Sequence, residues 1–196
     1  MTTVYTPETQ VWFTSDLHLG HDREFIWGAR GFNSVQEMNE KIIKNLQTAI
    51  HNEDELYICG DVTLGKVDRE LLKQIPGHVH VILGNHDTDA RELVYKELGW
   101  QTSYGERIKY SIDKKKISFL LTHYPTLTSN IGDSIEQSVI NLSEHTHNEW
   151  KWDSLQPFIY NVGCDANDCH PIELSAIAKF MEERIALYIP SLHYLY

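Results

Sequence analysis

Five short blocks of this 196-residue sequence carry side chains able to hold divalent cations or to move protons: Asp16-Leu17-His18, Gly60-Asp61, Gly84-Asn85-His86-Asp87, His123 and His145-Thr146-His147. Carboxylate and amide oxygens beside imidazole nitrogens form a mixed donor set of the kind first-row divalent metals take. Imidazole also serves as a general acid or base near neutral pH. Each block alone has a plainer reading. Asp16 and His18 equally describe an N-capping aspartate beside a surface histidine, and Asn, Asp and Gly at 84–87 are ordinary turn residues. His145 and His147 fit a metal or surface site better than a core, because two imidazoles in apolar packing would each need polar partners.

The blocks share a position, since apolar runs precede them. Val11–Ser15 reads as a strand before Asp16, Glu55–Cys59 as a strand before Asp61, and His78–Leu83 as a buried strand before Asn85. Gly84 is expected to provide a sharp exit from that strand. Arg107–Ile112 and Lys116–Thr122 form a hairpin about Asp113-Lys114-Lys115 and end at His123, while Val139–Leu142 is a short strand leading to the last histidine pair. If strand geometry persists, Asp16 with His18, and His145 with His147, leave one face at a spacing of two. Parallel or mixed sheets gather carboxyl ends at one edge, so residues this far apart in sequence can converge.

The remaining segments build the frame. Residues 23–32 are aromatic-rich loop or irregular helix. Ser34 and Glu37 make a capping box for a helix over Val35–His51 with Met38, Ile42, Ile43, Leu46 and Ile50 inward. Shorter helices are expected over Lys66–Ile75 and Asp89–Leu98, a loop over Thr126–Gln137, and a last strand over Phe158–Val162. Cys164–His170 is read as a polar loop, its cysteine spacing arguing against a zinc site, and Pro171 opens a closing amphipathic helix. Trp150 and Trp152 are packing or interface residues and, with the aromatic tail from Tyr188 to Tyr196, could support a homo-oligomer.

Composition narrows the class. The length suits one domain over residues 1–196, and 41% hydrophobic with 23% charged residues is ordinary for a globular protein. A formal charge of −11 disfavours a broad nucleic-acid surface. Three cysteines give no disulfide framework, no run is long and apolar enough to span a bilayer, and no basic apolar leader opens the chain, so a cytoplasmic location without membrane association is expected.

In their order the five blocks resemble the signature of the calcineurin-like metallophosphoesterases: D-x-H, G-D, G-N-H-D, H and G-H-x-H. The stretch Asp16–His21, together with residues 30 to 38, is similar to the small single-domain bacterial and phage members. The resemblance implies an α/β, four-layer sandwich with two mixed β-sheets flanked by helices and the active site at the carboxyl ends of the strands. It further implies a site for two divalent metal ions, with Asp16, His18 and His147 at one, Asn85, His123 and His145 at the other, and Asp61 bridging. Mn is the ion expected in vitro, with Fe, Zn, Ni or Co also suited. A bridging hydroxide would attack phosphorus, His86 would act as general acid, and Asp87 would orient His86. His21 and Arg30 are candidate substrate contacts.

The function so implied is hydrolysis of a small phosphoester, with a lean toward nucleotide-like diesters over monoesters. The alternatives are a nuclease acting on single-stranded nucleic acid and a catalytically silent, metal-stabilised binding protein. Two departures stand out. Glu144 occupies the usual glycine position of the last block, and Gly31 replaces a proline common in the small members.

Overall fold

The computed structural model describes residues 2–66, 68–127, 134–147, 150–153 and 155–192, with side chains to residue 187. Two five-stranded mixed sheets flanked by helices make up the chain. The first contains β2 (Val11–Thr14), β3 (Glu55–Ile58), β4 (His78–Ile82), β5 (Gln101–Ser103) and β10 (Ile172–Glu173), in the order β10-β2-β3-β4-β5. The second contains β1 (Thr3–Tyr5), β6 (Glu106–Ile112), β7 (Lys115–Leu121), β8 (Val139–Ser143) and β9 (Ile159–Asn161), in the order β1-β6-β7-β8-β9.

Register decides where chemistry collects. In the first sheet β2, β3 and β4 are parallel, Thr14 opposing Ile58 and Ile58 opposing Val81. In the second, β7, β8 and β9 are parallel, with Leu121 opposite Leu142 and Leu142 opposite Tyr160. Carboxyl ends therefore line one edge of each sheet. The two edges meet where Ser15 bridges Gly163 and the Cys164 N–H donates to the Ser15 carbonyl at 3.1 Å.

Two apolar clusters hold this arrangement. One lies between the sheets, where Phe13, Tyr57 and Ile82 meet Phe119, Ile140 and Leu142. Helix α5 (Leu174–Leu192) joins it through Ile177, Ala178, Met181 and Ile185. The other covers the opposite face of the first sheet, where Leu56, Ile58, Val79 and Val81 pack under α2 (Val35–Ala49) and α4 (Asp89–Glu97). The inward stripe on α2 is the expected one, and Ser34 caps it by accepting from the Glu37 N–H at 3.1 Å. Removing such a cap costs about 1 kcal/mol.

Several expectations change at element boundaries. The helix expected over Lys66–Ile75 reduces to α3 (Arg69–Leu72), capped by Asp68, and the irregular stretch before α2 holds one turn, α1 (Glu24–Trp27). Strands β1, β5 and β10 have no counterpart in the sequence reading; each is two or three residues long at or near a sheet edge. The closing helix begins after β10 at Leu174, not at Pro171. Trp152 packs against the inter-sheet core with its indole N–H donated to the Pro157 carbonyl at 2.9 Å, whereas Trp150 is 49% exposed. Of the aromatic tail from Tyr188 to Tyr196, the side chains lie outside the described residues. Among the described residues, no helix is long and apolar enough to cross a membrane.

Candidate metal centre

All seven candidate ligands converge where the two sheet edges meet. Asp16 and His18 follow β2, Asp61 follows β3, Asn85 follows β4, His123 follows β7, and His145 and His147 follow β8. The backbone that carries them is not strand. Asp16, His18, Asp61, His145 and His147 all have positive φ, at 52°, 50°, 54°, 140° and 50°. The expected period-two sharing of a face is thereby corrected: β2 ends at Thr14 and β8 at Ser143, and left-handed turns aim each side chain separately. Positive φ is costly for residues with a Cβ and persists where surrounding contacts enforce it.

Those contacts are specific. The N–H groups of Asp16 and His18 donate to the carbonyls of Gly60 and Asp61, both at 3.0 Å, so the β2 and β3 exits are laced together. Asp87 carries the lacing to the third exit. Its carboxylate accepts from the N–H of Asp61 at 2.8 Å, of Gly84 at 2.9 Å and of Val62 at 3.3 Å, and from the Tyr95 hydroxyl at 2.8 Å. Burial nonetheless pushes its pKa up from the ordinary aspartate range. The expected role of Asp87 changes accordingly: its lone pairs go to the Asp61 and Gly84 backbone, not to the His86 ring. Gly84 also differs from expectation, because its φ is not positive. A Cβ there would lie 2.3 Å from Asp61 Oδ1 and 3.0 Å from His123 Cε1, so glycine is needed for close approach.

Donor atoms form two groups sharing Asp61. In the first, Asp16 Oδ1 lies 3.5 Å from His18 Nε2 and 3.7 Å from His147 Nε2, and the two imidazole nitrogens are 3.3 Å apart. In the second, His123 Nε2 stands 2.9 Å from Asn85 Oδ1 and 3.1 Å from His145 Nδ1. Asp61 Oδ2 is 3.9 Å from His18 Nε2 and 3.7 Å from His123 Nε2. The fit to cations is visible in the unmet chemistry. Asp16 Oδ1 is buried with no hydrogen-bond partner among the described residues, and ring nitrogens face one another across distances a cation would bridge. Such a set of imidazole nitrogens and carboxylate oxygens suits divalent transition metals.

Two histidines have their tautomers fixed from behind. His123 Nδ1 donates to the Cys59 carbonyl at 2.9 Å, and His147 Nδ1 donates to Asp165 Oδ2 at 2.7 Å. Both acceptors lack a proton to give, so each Nε2 is left as a lone pair facing the donor group, as metal-ligating histidines require. The hydrogen bond to Asp165 raises the His147 pKa, whereas burial lowers that of His145.

Arg30, expected at the substrate, is turned inward. Its side chain is 3% exposed; Nε and Nη2 donate to Asp165 at 2.9 and 3.0 Å, while Nη1 and Nη2 donate to the carbonyls of Leu17 and Asp16 at 3.0 and 2.7 Å. It braces the Asp16 turn from below and ties it to His147. Burial acts to raise the Asp165 pKa, but the bonds from His147 and Arg30 outweigh it and hold the carboxyl well below the ordinary range. Asp165 was missed in the sequence, although Val162-Gly163-Cys164-Asp165 repeats the pattern of apolar strand, glycine and ligand-type residue.

At the mouth stand two histidines. The His86 N–H donates to Asp61 Oδ1 at 2.9 Å, its Nε2 lies 3.8 Å from Asp61 Oδ2, and its side chain is 41% exposed. His21 packs 5.6 Å from the His18 ring and edge-on to Phe25, and burial lowers its pKa to about 4, leaving it neutral near pH 7.

Residues 9–170 match the family model for calcineurin-like phosphoesterases. The chain belongs to that family. Relatives include an uncharacterized protein of Methanocaldococcus jannaschii, 26% identical over 89% of this chain and 92% of the relative. The Gene 66 protein of Mycobacterium phage L5 is 29% identical over 73% and 71% of the two chains. The structure of an Aquifex aeolicus protein of unknown function superposes with a TM-score of 0.61 at 22% identity, covering 88% of this chain and 99% of that one. As a calcineurin-like phosphoesterase with a cluster of candidate metal ligands at its sheet edges, the chain is a metal-dependent hydrolase of phosphoric esters.

Proposed function

We propose that the protein hydrolyses phosphodiesters of small nucleotide-like molecules, using two divalent cations held by Asp16, His18 and His147 and by Asn85, His123 and His145, with Asp61 shared. The observation that carries this reading is Asp61 Oδ2, standing within 3.9 Å of imidazole nitrogens from both donor groups. When bound, such a pair supplies Lewis acidity toward phosphate oxygens and a water activated for in-line attack.

The chain's own residues supply the rest. His86 is anchored through its backbone to Asp61, and its ring is left half-exposed at the mouth. It can donate a proton to the departing alkoxide oxygen as the phosphorus–oxygen bond breaks. The Arg91 guanidinium donates to the His86 carbonyl and, at 3.2 Å, to that of Gly65, which fixes the corner. Neutral His21 offers a hydrogen bond to a phosphate oxygen without adding a competing charge. Manganese is the cation we propose for reconstitution, and the cytoplasm is the compartment that fits buried, unpaired Cys59, Cys164 and Cys169.

A screen of the Mn²⁺-reconstituted protein over phosphomonoesters, linear diesters, cyclic nucleotides and single-stranded DNA tests the reading. Mn²⁺-dependent turnover is expected to be highest on diesters. Absence of turnover on every ester, in protein shown to bind the metal, would overturn it.

A further inference from the structure

Beside the centre, at the carboxyl ends of β8 and β9, lies a cleft of about 150 Å³ that the reaction as described does not use. Its walls include Pro125, Glu144, Thr146, Trp150, Gln156 and Asn161. Glu144 and Thr146 alternate with the candidate ligands His145 and His147, so cleft and centre share one stretch of chain. Aromatic surface connects them as well. Tyr124, 50% exposed, sets its ring 4.5 Å from that of His145, and the next residue, Pro125, lines the cleft.

The cleft is fitted to one ring system. Ligand sites for whole drug-sized molecules run to about 300–1,000 Å³, and this volume is well below that. Trp150 offers an indole that is half-exposed, an arrangement that favours stacking of a planar partner. On the inner wall Glu144 is buried and accepts from the Thr146 hydroxyl at 3.3 Å. Its seat depends on Gly163, where a Cβ would stand 2.5 Å from Glu144 Cγ. Gln156, which is exposed, gives the wall an amide able to donate to and accept from a heterocycle edge.

We infer that this cleft seats the nucleobase of a nucleotide phosphoester whose phosphate lies at the adjoining metal centre. The inference rests on the hydrolase reading and names its substrate class. Trp150 stacks the base.

The test uses the full chain loaded with Mn²⁺ and two substrates with one leaving group, the p-nitrophenyl esters of thymidine 5′-phosphate and of abasic deoxyribose 5′-phosphate. The thymidine ester is expected to have the higher kcat/KM. Trp150→Ala is expected to reduce the ratio of the two by about 5- to 150-fold, the usual worth of one base–aromatic stack, and Trp150→Phe to restore most of it. Calorimetric binding of thymidine alone should weaken by a similar factor in Trp150→Ala. A wild-type ratio near one, or a ratio that Trp150→Ala leaves within about twofold, overturns the inference, as does a Trp150→Ala effect confined to oligomeric state. Thymidine binding that depends on Trp150, without turnover of either ester, keeps the cleft and removes the hydrolase reading. Equal turnover of both esters does the reverse.

Discussion

Asp165→Ala removes one carboxylate that serves two partners, the buried guanidinium of Arg30 and Nδ1 of His147. Arg30 is 3% exposed, so the substitution strands a charge away from water. Removing one member of a buried ion pair costs about 3–5 kcal/mol. Arg30 would keep its bonds to the Asp16 and Leu17 carbonyls, which places the expected loss near the lower end of that range. Even about 3 kcal/mol is a large share of a net stability that is typically about 5–15 kcal/mol.

The second partner adds a cost only when metal is present. Without Asp165, His147 loses the acceptor that leaves its Nε2 facing Asp16 and His18, a type of loss that weakens metal binding by about 10- to 100-fold. With free metal well above its dissociation constant, that factor subtracts a further 1.4–2.7 kcal/mol, roughly, from apparent stability. Urea unfolding in chelator and again in saturating Mn²⁺ therefore separates the two terms, and a metal titration reads the second directly. Asp165→Asn keeps one acceptor oxygen but turns an amide N–H₂ toward a donor, so an intermediate loss of about 1–3 kcal/mol is expected. The reasoning fails if Asp165→Ala in chelator stays within about 1 kcal/mol of wild type, since a buried pair cannot be broken so cheaply. It fails equally if metal binds with unchanged affinity.

His86→Asn should retain metal content while lowering turnover of esters with poor leaving groups by about 10²–10⁴-fold, and of nitrophenyl esters by less; metal loss in elemental analysis would show that His86 is a ligand. Gly84→Ala should lose metal, because the new methyl would press on Asp61 Oδ1 at 2.3 Å, with a stability cost of about 1–3 kcal/mol from overpacking; intact metal stoichiometry would contradict it. At alkaline pH the buried tyrosines govern stability. Burial raises Tyr5 to about 12, and Tyr57, its hydroxyl 2.8 Å away, is also raised. The folded chain keeps these protons above pH 10 while the unfolded chain releases them, so stability is full below pH 10 and falls as pH rises toward 12, by up to about 1.4 kcal/mol per pH unit per tyrosine. Thermal melts between pH 8 and 12 should show the decline, and Tyr5→Phe should make it shallower.

The candidate ligands were legible because their chemistry is written in side-chain types at the ends of apolar strands. The braces were not. Arg30 and Asp165 are 135 positions apart and meet only after β2 and β9 are brought to one edge through the Ser15–Gly163 bridge. Asp87 carries the same lesson at shorter range. Adjacency to His86 suggested a partner in the side chain, yet a buried carboxylate goes first to the unpaired N–H groups of the turn it closes. Strands β1, β5 and β10 are too short for periodicity to register. They exist because a neighbouring strand offers an edge, as Ile108 does for Thr3.

Backbone conformation at the centre was the least legible feature, and the reason bears on function. Left-handed φ costs roughly 1–2 kcal/mol per residue with a Cβ, and Asp16, His18, Asp61, His145 and His147 all adopt positive values. Asp and His visit positive φ more often than most residues with a Cβ, but still in a small minority of cases, so local preference alone does not set it at five positions. It is imposed from outside, by carbonyls of Gly60 and Asp61 gripping the Asp16 turn and by Arg30 holding its carbonyls. A buried Asp16 carboxylate oxygen with no hydrogen bond among the described residues adds a further local cost. Cation binding would relieve the second cost while leaving the first in place. The scaffold therefore carries backbone strain in advance, so that less reorganisation is needed when the donors close on a metal.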